Sequence, residues 1–136
     1  MHTINLDFNG YWRYQNKGGI PNYSGVYLVY RCVYNREQET VSLKQLIYIG
    51  ESENVHDRIQ NHNKDTAWKR KLQDGEEICF ACANVDNPDR ERAEAALIYH
   101  TKPVLNDKST ESFDYPATYL VLTGQHRFLD SEIVVK

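Results

Sequence analysis

Two runs of β-branched and aromatic residues, separated by a polar stretch, are the feature that most constrains how this chain folds. The first run, GVYLVYRCVY, spans residues 25–34, and the second, LKQLIYIG, spans residues 43–50. Both are typical of β-strands, and the stretch between them is typical of a loop or an extended hairpin tip. The two runs therefore predict an antiparallel pair against which the rest of the chain has to pack.

Helices are predicted on the C-terminal side of this pair. The first runs from a cap at Ser52 or Asn54 to about Asn63, and a second, short one lies in TAWKRKLQDG. The segment NPDRERAEAALIYHT carries the clearest helix signals, because Asn87 is a capping residue and Pro88 suits the first helical position.

Further strands are predicted on either side of that last helix. EEICFACANV precedes it, while ATYLVLT and SEIVV follow it near the C-terminus. The first twenty residues have an aromatic, irregular pattern. The order of elements predicts an α+β domain in which helices pack on a small antiparallel or mixed sheet and a C-terminal β extension follows.

Composition narrows the class of protein. The chain has 136 residues, a length that suits a single domain over residues 1–136, and its hydrophobic and charged fractions of 40% and 26% are ordinary for a soluble globular protein. No apolar run approaches the length of a membrane span, so we expect no membrane association and a cytoplasmic location. The net charge of −3 argues against binding to nucleic acid through bulk charge alone.

The first predicted helix directs polar residues toward its apolar side. At about 100° per residue, Arg58 and His62 share an arc with Val55 and Ile59. An arginine in that position requires a negative partner. Either the protein supplies it, through an ion pair with Glu94 or Glu51, or a ligand supplies an anion.

The last predicted helix also places a charged residue on its apolar side, and here the residue is acidic. Glu94 lies within the apolar arc formed by Ala93, Ala96 and Leu97. Such a carboxylate is either paired, for example with Arg58, or available as a ligand for a hard cation such as Mg²⁺.

Four motifs on these elements resemble the GIY-YIG nuclease domain. They are GVY at 25–27, YIG at 48–50, RIQNH at 58–62 and EAALIYHTKPVLN at 94–106, and the resemblance covers residues 21–106. It implies a three-stranded sheet flanked by helices and metal-dependent cleavage of phosphodiester bonds in DNA, as in DNA repair or restriction. An arginine followed one turn later by a histidine resembles the branch found in some restriction enzymes and structure-specific nucleases.

The resemblance also implies roles for single residues. Glu94 is expected to bind Mg²⁺ or Mn²⁺, and Arg58 to contact the phosphate in the transition state. Tyr27 and Tyr48 are expected to flank the attacking water, one of them as general base or orienting group, while His62 accepts or relays its proton.

Three further matched residues are expected to shape the site rather than to do chemistry. Asn106 is expected to fix local geometry through hydrogen bonds, and Gly25 and Gly50 to serve strand ends that need an unusual backbone. The alternative for the two tyrosines is a core position with bonded hydroxyls.

The densest basic stretch follows the RIQNH motif and is the candidate substrate-binding surface. It contains Lys64, Lys69, Arg70 and Lys71, with Trp68 among them. The cations suit flanking phosphates and Trp68 suits stacking on an unpaired base. The alternative is a solvated helix face on which Trp68 is the core anchor.

Sequence specificity is not expected from this chain alone, because no recognition helix or second DNA-binding domain is evident. Cleavage would be directed instead by a DNA structure, by a homodimer partner or by a targeting protein. The alternative function is a catalytically silent, nuclease-like module that binds nucleic acid or protein.

Two features depart from the motif pattern. The segment around residues 35–45 is longer than the family's usual connection, and Glu51 directly follows YIG, where a carboxylate is unfavourable beside a phosphate.

The pair Cys79 and Cys82 has the spacing of half a zinc site, but no second pair follows it. We expect buried apolar cysteines there, with zinc or redox chemistry as the alternative.

Overall fold

A mixed six-stranded sheet organises the computed structural model, which describes residues 1–136. The strands are β1 (His2–Arg13), β2 (Gly25–Asn35), β3 (Thr40–Ser52), β4 (Glu77–Asn84), β5 (Thr118–Gly124) and β6 (Glu132–Val135). The helices are α1 (Val55–Gln60), α2 (Asp65–Arg70) and α3 (Asp89–Thr101), with a 3-10 helix at Tyr14–Gly19. The strands lie in the order β3-β2-β4-β1-β5-β6.

The predicted α+β class is confirmed, but the expected three-stranded sheet is wrong in detail. β2, β3 and β4 do form an antiparallel unit, as the motifs implied. β1, missed in the irregular N-terminal pattern, pairs antiparallel with β4 and parallel with β5, so it joins the C-terminal β extension to the central unit. The result is one continuous sheet of six strands.

Helix α1 is shorter than predicted. The Asn54 side chain caps it by accepting a hydrogen bond of 3.1 Å from the Asp57 backbone N–H, and the helix ends at Gln60. His62 therefore lies in the turn between α1 and α2 and not one helical turn after Arg58. The turn, rather than the helical repeat, sets the direction of its side chain.

Hydrophobic residues pack on both faces of the sheet. One face carries Ile4, Leu28 and Leu122 and packs against Ala93, Ala96 and Leu97 of α3. The other face carries Tyr27, Val29 and Phe80 and packs against Val55, Ile59 and Trp68 of α1 and α2. The motif residues are thus carried by the sheet and by helices packed on both of its faces.

The cysteines are all buried, as expected, but two of them are joined. Cys79 and Cys82 belong to the cores on opposite faces of β4, which excludes the half zinc site. Cys79 forms a disulfide with Cys32 of β2, and Cys82 is free. The bridge connects two neighbouring strands of the central antiparallel unit.

None of the helices has the length and apolar character that crossing a membrane requires.

Candidate active site

The two motif tyrosines lie on adjacent strands and project from the same face of the sheet. Tyr27 on β2 is opposite Gly50 on β3, and Val29 is opposite Tyr48. The rings of Tyr27 and Tyr48 are 6.3 Å apart between centroids. Tyr27 is 1% exposed, whereas Tyr48 is half-buried, so only Tyr48 has an appreciable surface open to solvent.

The two motif glycines are explained by close approach rather than by an unusual backbone. A Cβ at Gly50 would lie 2.2 Å from Cζ of Tyr27, and a Cβ at Gly25 would lie 2.2 Å from the carbonyl oxygen of Ala83. Neither glycine has a positive φ. Gly50 therefore lets the Tyr27 ring lie directly over β3, and Gly25 lets β2 and β4 approach closely.

His62 contacts both tyrosines. Its Nε2 lies 2.6 Å from the Tyr27 hydroxyl oxygen, and its ring centroid is 5.6 Å from that of Tyr48. The imidazole also packs against Trp68, with a centroid separation of 4.3 Å. Trp68 thus forms the floor beneath the tyrosine–histidine cluster.

The hydrogen bonds of His62 fix its tautomer. The backbone N–H of Lys64 donates to Nδ1 over 3.0 Å, so Nδ1 carries no proton and the neutral ring has its proton on Nε2. Nε2–H then donates to the Tyr27 oxygen. In this tautomer His62 is a donor toward Tyr27, and its role in accepting or relaying a proton during the reaction stays a prediction.

Burial keeps the cluster neutral. It lowers the pKa of His62 to about 4, with nearby Arg58 acting in the same direction. Burial also raises the pKa of Tyr27 and of Tyr48, and the positive charge of Arg58 offsets this only in part. In the absence of further charges, both tyrosines are therefore protonated at neutral pH.

Arg58 is half-buried next to this cluster and has no carboxylate partner. It donates one hydrogen bond, of 2.6 Å, to Oδ1 of Asn63, and it pairs with neither Glu94 nor Glu51. Its charge influences the pKa of Tyr27, Tyr48 and His62, which places it close to all three. Its remaining N–H donors are available to an anion.

Glu94 is the corresponding unpaired carboxylate. It is half-buried on α3 and belongs to none of the chain's seven ion pairs. Burial raises its pKa to about 7, and the carboxylates of Glu51 and Glu91 add to the effect. Its charge also raises the pKa of Tyr27 and of Tyr48, and it lines a cleft of about 410 Å³.

Glu51 is neutralised by a residue that the sequence analysis missed. Arg90 is 7% exposed, and it donates to Oε2 of Glu51 over 2.5 Å and to the Ser24 hydroxyl over 2.9 Å. The ion pair removes the repulsion that a free Glu51 would exert on a phosphate. Arg90 lies four residues before Glu94 on α3, so the helix spacing gave a signal that both would point toward β3.

Asn106 attaches the chain beyond α3 to β3. Its side-chain amide donates to the Ile49 carbonyl over 2.8 Å and accepts from the Ile49 N–H over 2.9 Å. Ile49 lies between Tyr48 and Gly50. Asn106 therefore holds the backbone of the YIG motif on the edge of the sheet.

The basic stretch contributes less than expected to a binding surface. Trp68 is 0% exposed, so its ring has no face open to a base, and it is the core anchor of α2. Lys69 pairs with Asp65 over 3.1 Å, and Lys64 lies 3.5 Å from Asp107. Arg70 and Lys71 are exposed and form no ion pair.

Comparison with known families gives one match. The family model described as the GIY-YIG catalytic domain matches residues 23–108. Neither the search of curated proteins nor that of solved structures finds a match. The matched segment contains the whole cluster described above, whereas β1, β5 and β6 lie outside it.

Proposed function

Because the chain belongs to the GIY-YIG catalytic domain family, a family of endonucleases, we propose that it is a metal-dependent DNA endonuclease that hydrolyses phosphodiester bonds. The observation that carries the proposal is the bonded Tyr27–His62 pair beside Tyr48, together with an unpaired guanidinium at Arg58 and an unpaired carboxylate at Glu94 whose charges act on both tyrosines. A structural ion pair between Arg58 and Glu94 would have closed this site, and the two residues form none.

Arg58 is the phosphate ligand in this proposal. A guanidinium keeps its charge at all physiological pH values and offers several donors in one plane, which suits the oxygens of a phosphate. Only one of its donors is used within the protein, by Asn63. As negative charge builds up on the phosphate in the transition state, the remaining donors stabilise it.

Glu94 is the residue that would hold a divalent cation. A half-buried carboxylate without a hydrogen-bond or ion-pair partner, beside an open cleft, fits Mg²⁺ or Mn²⁺, hard cations that are often bound through one or two carboxylates with water completing the shell. When bound, such a cation supplies Lewis-acid polarisation of a phosphate oxygen.

The two tyrosines flank the attacking water in this proposal, and Tyr48, the more exposed of them, orients it. Since His62 donates to the Tyr27 oxygen, the Tyr27 hydroxyl proton points away from the imidazole and is free to bond elsewhere. His62 is thereby a positioning residue that fixes the rotamer of the Tyr27 hydroxyl. Its N–H also favours any negative charge on that oxygen, because a donor stabilises the ionised form of its acceptor.

Structure-directed or partner-directed cleavage fits this chain better than sequence-specific cleavage. Helices α1 and α2 have six residues each, and α3 is packed along the sheet. None of the three is a free helix suited to the major groove. We propose a role in DNA repair or restriction within the cytoplasm, with a homodimer partner or a targeting protein supplying the selection.

The test is cleavage of branched, nicked and duplex DNA by the purified chain with Mg²⁺ or Mn²⁺. Arg58→Ala and Glu94→Ala should each reduce the cleavage rate at least about 100-fold while thermal unfolding stays cooperative. Arg36→Ala and Glu37→Ala, exposed residues at the β2–β3 hairpin, are charge-matched controls that should cleave normally. Cleavage that persists in EDTA or in Glu94→Ala would contradict the mechanism, and binding without cleavage of any substrate would indicate a silent module.

A further inference from the structure

The cleft at Glu94 is completed by a segment that lies beyond the family match. Residues 109–115, between α3 and β5, supply Ser109, Ser112, Asp114 and Tyr115 to its wall, which also includes Glu51, Glu91 and Glu94. The cleft volume of about 410 Å³ falls within the range of small-ligand sites. Tyr115 is 38% exposed, and it is the only aromatic residue that lines this cleft.

Tyr115 is supported from behind by two further aromatic rings. It packs on Phe113 with a centroid separation of 5.6 Å, and Phe113 packs on Tyr99 of α3 at 6.3 Å. Phe113 and Tyr99 are partly buried against the core that covers the α3 face of the sheet. The three rings form a ladder that leads from the core to the cleft and ends in an exposed ring.

The segment that carries this ladder is held by α3 on both sides of Tyr115. Arg92 donates to the carbonyl oxygens of Pro116 and Ala117 over 3.1 and 3.2 Å, and Lys102 donates to the carbonyl of Thr110. Pro116 also restricts the backbone of the residue before it to extended conformations. Tyr115 is therefore presented on an ordered support, so that little conformational entropy is lost when a ligand packs on it.

We propose that Tyr115 is a stacking platform for an unpaired base of the nucleotide next to the scissile phosphate, an inference that rests on the proposed nuclease function. An exposed, supported aromatic ring beside a phosphate site matches the way single-stranded nucleic acids are bound. A base inside a duplex has both faces covered by its neighbours, so only an unpaired or extruded base presents a face to Tyr115. The substrate class is then DNA with a single-stranded end, flap or gap at the cleavage point.

The rim of the cleft is suited to the rest of such a nucleotide. Ser112 and Asp114 are exposed and make no hydrogen bond within the chain, so both are available to the polar edge of a base. Lys108 is exposed and forms no ion pair, and its charge acts on Glu94, so it is available to a phosphate of the same nucleotide. The segment from Lys108 to Tyr115 thus offers three kinds of contact to a nucleotide: stacking by Tyr115, polar contacts by Ser112 and Asp114, and neutralisation of a phosphate by Lys108.

The test uses duplexes that end in one unpaired nucleotide, in a matched pair in which that nucleotide either has its base or is abasic. Affinity is measured by fluorescence anisotropy in EDTA, and the cleavage rate is measured separately with Mg²⁺. The wild-type chain should bind the base-containing probe about tenfold more tightly. Tyr115→Ala should abolish that difference, Tyr115→Phe should keep it, and Phe128→Ala, an exposed aromatic outside the cleft, should leave it unchanged.

The two proposals fail in different ways. A wild-type chain that discriminates between the probes but cleaves no DNA contradicts the nuclease proposal and supports the platform. A wild-type chain that cleaves but binds both probes equally, or Tyr115→Ala that still discriminates, overturns the platform. Absence of binding to either probe overturns it as well. A general loss of structure in Tyr115→Ala would weaken binding to both probes equally, so the ratio of affinities separates stacking from folding.

Discussion

At the scale of single residues, Glu94 differs from Glu51 because it has no cation beside it in an ion pair. Glu51 has Arg90, whereas Glu94 lies among carboxylates and apolar atoms, with Lys108 and Arg90 acting on it only weakly. Its ionised form is therefore destabilised in the metal-free protein, which raises its pKa to about 7. A divalent cation bound to the carboxylate would offset this destabilisation of the ionised form.

Glu94→Gln should consequently stabilise the metal-free protein at alkaline pH. The folded-state pKa of about 7 lies above the ordinary glutamate value of 4.5, so the folded state binds more protons between these values and the stability contribution of Glu94 is lost as pH rises through 7. The variant mimics the protonated form. Its free energy of unfolding should exceed that of the wild type by on the order of 2 kcal/mol at pH 8, and match it at pH 4.

Urea unfolding across this pH range in EDTA checks the prediction, with Glu37→Gln at the exposed hairpin as the control. The protonation of His62, whose pKa is lowered to about 4, affects both proteins alike and cancels in the comparison. Adding Mg²⁺ at pH 8 should stabilise the wild type and not the variant. Equal stabilities of the two proteins at pH 8 would show that Glu94 is not destabilised by its surroundings.

The sequence predicts which residues form the site, but it does not predict how they are bonded. The motif pattern names Tyr27, Tyr48, Arg58, His62 and Glu94, and in the structure His62 contacts both tyrosines while the charges of Arg58 and Glu94 act on them. The direction of the His62–Tyr27 hydrogen bond depends on the backbone N–H of Lys64, which no side-chain pattern encodes. The neutralisation of Glu51 by Arg90 likewise depends on how closely α3 approaches β3.

At the scale of elements, β2 and β4 are connected in two ways, by their backbone ladder and by the Cys32–Cys79 disulfide. The sequence indicated that Cys79 and Cys82 face opposite sides of a buried strand, because side chains alternate along β4. It did not indicate the bridge, since that depends on the pairing of two strands separated by 47 residues. Disulfides of this kind persist in oxidising compartments and are rare in the cytosol, so the cytoplasmic location stays a prediction.

Reduction of this bridge should destabilise the protein without dismantling its sheet. A closed loop of this length is expected to contribute about 3–4 kcal/mol to the free energy of unfolding. Wild-type chain should therefore lose roughly that amount in urea when a strong reductant is added, and Cys32→Ala should be insensitive to the reductant.

Cys82→Ala is the matched control, because Cys82 is equally buried but free. It should respond to the reductant as the wild type does. Titration of thiols in the unfolded, unreduced wild type should find one free thiol, and finding three would show that the bridge does not form.

At the scale of the whole molecule, the sheet extends well beyond the family match. β1 lies between β4 and β5, so the N-terminal residues occupy the middle of the sheet and not its margin. The signal for this strand was present in the sequence, since Ile4, Leu6 and Phe8 alternate with polar residues and all three are buried. The aromatic residues that follow Phe8 interrupt this alternation, so the segment has an irregular pattern as a whole. The parallel pairing of β1 with β5 joins segments far apart in the chain, and local sequence carries no signal for it.

The position of β1 predicts that the chain behaves as a single folding domain over residues 1–136, and that the matched segment does not fold by itself. A fragment of residues 23–108 lacks β1, β5 and β6, so it leaves an edge of β4 unpaired and removes eight residues of the α3-side core: Ile4, Leu6, Phe8, Leu120, Leu122, Leu129, Ile133 and Val135. We expect no cooperative thermal transition for this fragment.

In the full chain, Leu6→Ala should reduce the free energy of unfolding by about 2–5 kcal/mol, because Leu6 is 0% exposed. Asn5→Ala on the exposed face of the same strand should reduce it by less than about 0.5 kcal/mol. Calorimetry of the three proteins decides the matter: a fragment that melts cooperatively, or equal costs at the two positions, would show that β1 is an appendage to an independent catalytic unit.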